Sequence, residues 1–410
     1  MFEPTSFPKE NIKVLLLENI SSKAKETFEK AGYSNVEILK TALNEEELIE
    51  KLKDVRILGI RSKTTLTKKV FENAPKLMAV GCFCIGTNQV DLKAAALKGI
   101  AVFNSPFSNT RSVAELIIAS CIMLIRKIPY KSSEAHKGNW LKDNIDAYEI
   151  RGKKIGIIGY GHIGSQVSIM AEALGMQVFY YDVDLKLPLG NAHALESIEE
   201  IITKCDFITL HVPATPETNN LFSKEMLSKF KKGKYLLNLS RGNVVDIDAL
   251  AEAIKNEKIS GAAIDVFPVE PKNKTEKFIS PLQNLKNVIL TPHIGGSTEE
   301  AQWNIGIDVA SKLIKFTATG ATIGSHAIPE LSLPISKNTH RILHIHNNVP
   351  GVISTINKHI SDLDINILGQ FLKTDQTIGY VVLDIPKESS QEVFETLDKI
   401  PNTIKTRLLF

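Results

Sequence analysis

The stretch Gly152–Gly164, GKKIGIIGYGHIG, constrains this chain more than any other. Lys154–Ile158 is a compact apolar run of the kind that forms a buried parallel strand. It leads directly into Gly159-Tyr160-Gly161-His162-Ile163-Gly164, a G-x-G-x-x-G that opens a helix over Ile163–Leu174. The next apolar run, Gln177–Tyr181, ends in Asp182, 18 residues beyond Gly164. Gly159 permits the tight turn, Gly161 lets the backbone approach a pyrophosphate, and Gly164 lets helix and strand pack closely. The helix N-terminus supplies N–H donors and a positive dipole. Asp182 can accept from both ribose hydroxyls and repels a 2′-phosphate, so the expected cofactor is NAD and not NADP.

The rest of the chain repeats this rhythm of short β-branched runs and amphipathic helices. Strands are expected at Ile12–Leu17, Val55–Ile60, Leu77–Val80 and Ile100–Phe103, and again at Phe207–His211, Tyr235–Leu239, Ala262–Asp265 and Val288–Leu290. Such alternation implies α/β architecture with two doubly wound parallel sheets. Length agrees, since 410 residues correspond to two or three domains. The second unit reads as an insertion in the first. This gives a discontinuous substrate-binding domain, 1–107 with 298–337, and a Rossmann domain, 108–297. Thr317–Asn338, rich in Gly and Pro, reads as a linker. Beyond it, 338–410 has the order βαββαβ of a ferredoxin-like unit.

Composition removes several function classes. The chain is 43% hydrophobic, and 49 basic against 46 acidic side chains leave +3, so bulk charge argues for neither nucleic acid nor an anionic membrane as partner. Cys82, Cys84, Cys121 and Cys205 are too few to staple so long a chain and lack metal-ligand spacing, so a reducing, cytoplasmic setting and no metal are expected. The N-terminus lacks a secretory pattern, and the longest apolar stretch, Leu116–Ile125, is too short to span a membrane.

Three polar residues fall just after later strands, where parallel sheets bind their ligands. Arg241 follows LLNLS, Glu270 lies five residues after Asp265, and His293 ends VILTP. Together they suit proton-coupled redox chemistry between NAD and a 2-hydroxy or 2-oxo acid. Arg241 offers a planar fork for the substrate carboxylate. His293 exchanges the hydroxyl proton, and Glu270 holds the other imidazole nitrogen and fixes its tautomer.

These residues and the stretches Gly81–Asp91, Phe107–Glu115, Gly152–Gly164, Ser240–Asp246, Gly261–Pro271 and Leu290–Thr298 resemble the D-isomer-specific 2-hydroxyacid dehydrogenases over essentially the whole chain. Within that family the chain is similar to the bacterial branch that ends in an ACT domain. The resemblance implies Arg241, Glu270 and His293 as the catalytic set. It places cofactor contacts at His162, Ile163, Asp182, Leu239, Ser240, Arg241, Asp265, His293, Ile294, Gly295 and Gly296, besides the three glycines. It further implies oxidation of D-3-phosphoglycerate at the start of L-serine synthesis, feedback by L-serine, and a homotetramer. Arg61, Ser62, Asn109 and Lys142 are the candidates for holding the substrate and its phosphate, Lys142 in trans if the family pattern holds. In the C-terminal unit, His346 and Asn348, with Asn366 in the following strand, are the candidates for the effector. Reduction of 2-oxoglutarate, another D-2-hydroxy acid as substrate, and a non-catalytic NAD-sensing role stay open as alternatives.

Overall fold

The computed structural model describes residues 7–271, 275–334 and 338–409. The chain forms two compact units, 1–108 with 302–410, and 109–301.

The first unit opens with five parallel strands, β1 (Val14–Leu16), β2 (Val36–Ile38), β3 (Ile57–Ile60), β4 (Ala79–Cys82) and β5 (Ala101–Asn104), in the order β2-β1-β3-β4-β5. β1, β3, β4 and β5 are buried at every residue, as expected for strands covered on both faces. Cys82, at the end of β4, is buried, and burial pushes its thiol up, out of reach of redox chemistry at neutral pH.

The second unit holds seven parallel strands: β6 (Lys154–Ile158), β7 (Gln177–Tyr181), β8 (His193–Ala194), β9 (Phe207–Leu210), β10 (Lys234–Asn238), β11 (Ile259–Ile264) and β12 (Val288–Leu290). Their order is β12-β11-β10-β9-β6-β7-β8. The chain reverses its direction of winding between β6 and β9, which makes a ligand crevice at the carboxyl ends of those strands. The helix Thr110–Ile125 buries Val113, Ile117, Cys121 and Leu124 on one face of this sheet, in the cluster that also takes Ile155, Ile157 and Leu237. Leu210, Leu236 and Ile264 face the opposite cluster.

The C-terminal domain is antiparallel: β13 (His340–Asn347), β14 (Gly369–Thr374), β15 (Ile378–Ile385) and β16 (Thr403–Leu409), ordered β14-β15-β13-β16. Along β15 the side chains alternate between two cores. Val381, Leu383 and Ile385 pack under the helices Val352–Asp362 and Ser390–Asp398, whereas Ile378, Tyr380 and Val382 join the core of the first sheet. Period-2 alternation between two apolar environments explains why all eight residues are buried.

The linker is not a loose tether. Thr322 exchanges backbone bonds with Leu331, and His326 donates its backbone N–H to Val102 O while its ring meets Asn104. Residues 335–337 lie outside the described residues. Both flanks are held by Arg341, which is 6% exposed. It makes a bidentate pair with Asp384 at 2.7 and 2.9 Å and donates to Thr319 O and Pro334 O. Glycine and proline mask this order in the sequence because they supply backbone geometry without apolar periodicity.

Candidate active site

At the end of β6, Gly159 takes φ +92°, and a Cβ there would lie 2.4 Å from His211 O, so a side chain has no room. A Cβ on Gly164 would sit 2.2 Å from Gly159 O, which fixes how closely the helix His162–Ala173 approaches the strand. Gly161 is different: nothing lies within 4 Å of its Cβ position. That open space stands at the helix N-cap, where a pyrophosphate can approach backbone N–H groups. Asp182, just after β7, is aimed back at this turn. Its Oδ2 accepts from Tyr160 N at 2.7 Å and its Oδ1 from Asp184 N at 2.9 Å. The donor set, the open glycine and the carboxylate at the strand end fit a dinucleotide with an unmodified ribose.

Three loops after β10, β11 and β12 carry the reactive groups. Asn238 ends β10 fully buried. Its Oδ1 accepts from Ser240 N and Oγ, and its Nδ2 donates to Arg241 O at 3.0 Å. The turn bearing Arg241 is thus held from beneath, and the guanidinium makes one bond of its own, from Nη1 to Ser240 O at 2.7 Å. Gly242 packs so tightly on the next loop that a Cβ would lie 2.1 Å from Phe267 backbone atoms. That loop carries Glu270, whose Oε1 accepts from Phe267 N at 3.1 Å. The Glu270 carboxylate straddles His293 Nδ1 at 2.9 and 3.1 Å.

His293 sits in the left-handed region at φ +54°, a conformation its surroundings must impose. Asp265, 1% exposed, imposes it. Its Oδ1 accepts from Thr291 Oγ1 and Ile294 N, its Oδ2 from Gly295 N, and its backbone O from His293 N. With Nδ1 facing a carboxylate, the proton of a neutral ring resides on Nδ1 and Nε2 is left as the proton acceptor. A half-exposed imidazole, braced behind and open in front, beside a guanidinium on a neighbouring loop, can take a proton from an anionic alcohol.

Residues 118–295 match the model of the D-isomer specific 2-hydroxyacid dehydrogenase NAD binding domain, and 342–405 match an AHAS small subunit-like ACT domain. The chain is 52% identical over 410 residues to D-3-phosphoglycerate dehydrogenase of Haemophilus influenzae, with 100% of both chains covered. The chain belongs to the D-isomer specific 2-hydroxyacid dehydrogenase family. The enzyme of Escherichia coli K12 bearing the same name is 49% identical over 407 residues, covering 99% of each. Among solved structures, D-lactate dehydrogenase of Aquifex aeolicus, complexed with NAD and lactic acid, matches with TM-score 0.63 and 29% identity. That match covers 74% of this chain and 95% of the other. The cofactor of this dehydrogenase is NAD, held by the Gly159–Gly164 turn and Asp182.

The remaining sequence-derived residues of the dehydrogenase are placed unevenly. Arg61 follows β3 in the first unit, and its guanidinium has no ion pair or hydrogen bond among the described residues; Ser62 beside it is exposed. Asn109 is 7% exposed and lies against Gly296, where a Cβ would be 2.1 Å from its Nδ2; its Oδ1 has no partner. Lys142 is exposed in the segment that carries Trp140, itself 83% exposed. In the C-terminal domain, Asn348 is exposed and donates from Nδ2 to Asp375 O at 2.6 Å. His346 lies 1% exposed within the sheet, its ring 2.3 Å from where a Gly379 Cβ would be. Asn366 is not in a strand, contrary to expectation. Ile365 and Ile367 pack on the core and mimic strand alternation, but Asp364 turns at φ +57° and pairing starts at Gly369.

Sequence reasoning missed Asn238, Gly242 and Glu18. Glu18, 8% exposed, accepts from Arg61 N, Lys63 N and Thr64 N at 2.9–3.1 Å and shapes the Arg61 loop. A polar residue closing an otherwise apolar run, as in YLLN and LLLE, is the signal that marks Asn238 and Glu18.

Proposed function

We propose that this dehydrogenase oxidises D-3-phosphoglycerate to 3-phosphohydroxypyruvate, opening the route to L-serine. The observation that carries the reading is the His293–Glu270 pair at 2.9 Å, found in a chain alignable end to end with D-3-phosphoglycerate dehydrogenases. Arg241 neutralises the substrate carboxylate. His293 Nε2 removes the C2 hydroxyl proton, and Glu270 stabilises the imidazolium that results. Bound NAD supplies the hydride acceptor. For the phosphate, Arg61 is supported by its uncommitted guanidinium, held in place through the Glu18 carboxylate, and Ser62, Asn109 and Lys142 are the further candidates.

L-serine is the proposed effector, at His346, Asn348 and Asn366 of the ACT domain. The support is the domain match over 342–405 and the Pro350-Gly351 turn, where Gly351 takes φ +94° to start the helix Val352–Asp362. A homotetramer is supported by the exposed apolar side chains Trp140, Leu141, Ile145 and Tyr148, which self-association would cover. Four free cysteines, three of them buried, support a reducing cytoplasm. 2-Oxoglutarate, whose second carboxylate stands in for the phosphate, is the proposed side substrate in the reducing direction.

The test is NADH turnover with phosphohydroxypyruvate and with 2-oxoglutarate, each with and without serine. Arg61→Ala is expected to raise KM for the phosphorylated substrate at least tenfold more than for an unphosphorylated analogue. Equal losses would remove Arg61 from the phosphate site, and no turnover with phosphohydroxypyruvate would reject the activity. Serine is expected to inhibit the wild type and not Asn348→Ala; equal rates in all four assays would reject feedback through this domain.

A further inference from the structure

Within the first unit, strand β16 and the helix Ser390–Asp398 face the edge of the first sheet across a cavity of about 640 Å³. Five cations line it: Lys9, Arg56, Lys76, Lys405 and Arg407. No carboxylate does so among the described residues. Lys76 pairs with Asp54, but the other four have no ion pair. Their bonds go to neutral carbonyls: Lys9 Nζ to Ala31 O at 3.1 Å, Lys405 Nζ to Leu77 O at 2.8 Å, and Arg407 Nη2 to Thr317 O at 3.2 Å. Arg56 lies over the Phe7 ring at 4.0 Å.

Two buried polar atoms on the β16 wall, Thr406 Oγ1 and Arg407 Nη1, have no hydrogen-bond partner. Leaving such groups unpaired costs about 1–3 kcal/mol each, more when charged. Crowded like charges add to that cost. Burial, with repulsion from Arg407 and Arg56, pushes Lys405 down to about 8. Four uncompensated cations around one cavity, two orphaned polar atoms on its wall, and a volume several times that of a phosphate group describe a site built for a polyanion.

We propose that this cavity binds a phosphate-bearing anion and thereby fastens the C-terminal domain to the first sheet. The ligand bridges β16, through Lys405 and Arg407, to Arg56 and Lys76 beside the first sheet. Because it has high affinity only where both walls are present, it stabilises the docked arrangement and couples anion concentration to whatever the C-terminal domain controls.

The full-length protein is titrated calorimetrically with pyrophosphate at constant ionic strength, with citrate as the carboxylate control. The wild type is expected to bind one pyrophosphate per chain at this site, at least tenfold more tightly than citrate. Arg56→Gln/Lys76→Gln is expected to weaken that binding at least tenfold, and Arg241→Gln to leave it within twofold. Loss in Arg241→Gln with retention in the double variant would place the anion at the catalytic loops and overturn the proposal. So would equal affinity for citrate, or no heat beyond that of salt. Lys76→Gln alone changes an exposed side chain, so the fold survives, and about threefold weaker binding is expected; an unchanged value would remove Lys76 from the site. Without anion, the double variant is expected to melt at the same temperature as the wild type or higher, because a repulsive cluster has been relieved; a lower midpoint would mean these cations already have partners.

Discussion

Two regions of this molecule bury polar groups and treat them in opposite ways. In the loops after β10, β11 and β12, the buried side chains are closed on themselves: Asn238 holds Ser240 and Arg241, and Asp265 takes three hydrogen bonds from Thr291, Ile294 and Gly295. Asn109, with its orphaned Oδ1, is the exception on that side. In β13 and β16 the balance is reversed: His344 Nδ1, His346 Nδ1, Thr406 Oγ1 and Arg407 Nη1 are all buried without partners. Proton transfer needs one geometry held within fractions of an ångström, so the catalytic loops spend their polar groups on positioning. A docking layer that must respond to ligands needs a shallower well, and unpaired groups make one.

The Arg341–Asp384 pair is the closed lock in the open layer, so it sharpens the contrast most. Arg341→Ala leaves the Asp384 carboxylate buried and unpaired, and about 3–5 kcal/mol of stability is expected to be lost. Thermal unfolding checks this; a loss below about 1 kcal/mol would mean that the docking layer carries little of the fold's stability.

Acid should open the same layer first. Burial pushes His344 down to about 4 from its ordinary 6.5, with the neighbouring His346 ring 5.4 Å away adding repulsion. The unfolded chain therefore binds a proton that the folded chain refuses. Stability contributed by the neutral ring is intact above pH 6.5 and is lost as pH falls towards 4, by about 3 kcal/mol. Melting curves at pH 7.5 and 5.0 should differ by more in the wild type than in His344→Gln. Equal differences would exclude His344 as a source.

The smallest expected effect belongs to the catalytic side. Gly242→Ala inserts a methyl group against the Phe267 backbone and should cost about 1–3 kcal/mol, with a roughly tenfold fall in kcat as Arg241 and Glu270 move apart. Unchanged turnover would show that the two loops tolerate independent shifts.

Much of this was legible in the sequence where the information is local. The Gly159–Gly164 turn, its helix and Asp182 lie within one βαβ unit, and Arg241, Glu270 and His293 each follow a readable strand. Non-local roles were not legible. Gly242 is required by Phe267, 25 residues on, and Glu18 serves Arg61 and Thr64 more than 40 residues away. The Asn44–Glu47 capping box that starts the helix Glu45–Leu52 was local and was nonetheless passed over, because that helix is too short to show a clear apolar stripe. The docked linker and the basic cavity depend on which sheet edge meets β16, and no local pattern encodes that.

The central claim is that Glu270 acts through His293, and a double-mutant cycle on kcat tests it directly. His293→Asn is expected to lower kcat for 3-phosphoglycerate by about 10²–10⁴. Adding Glu270→Gln to that variant should then change kcat by less than about twofold, although Glu270→Gln alone costs at least tenfold. Multiplicative losses in the double variant would show that the carboxylate works independently of the imidazole and would contradict the account.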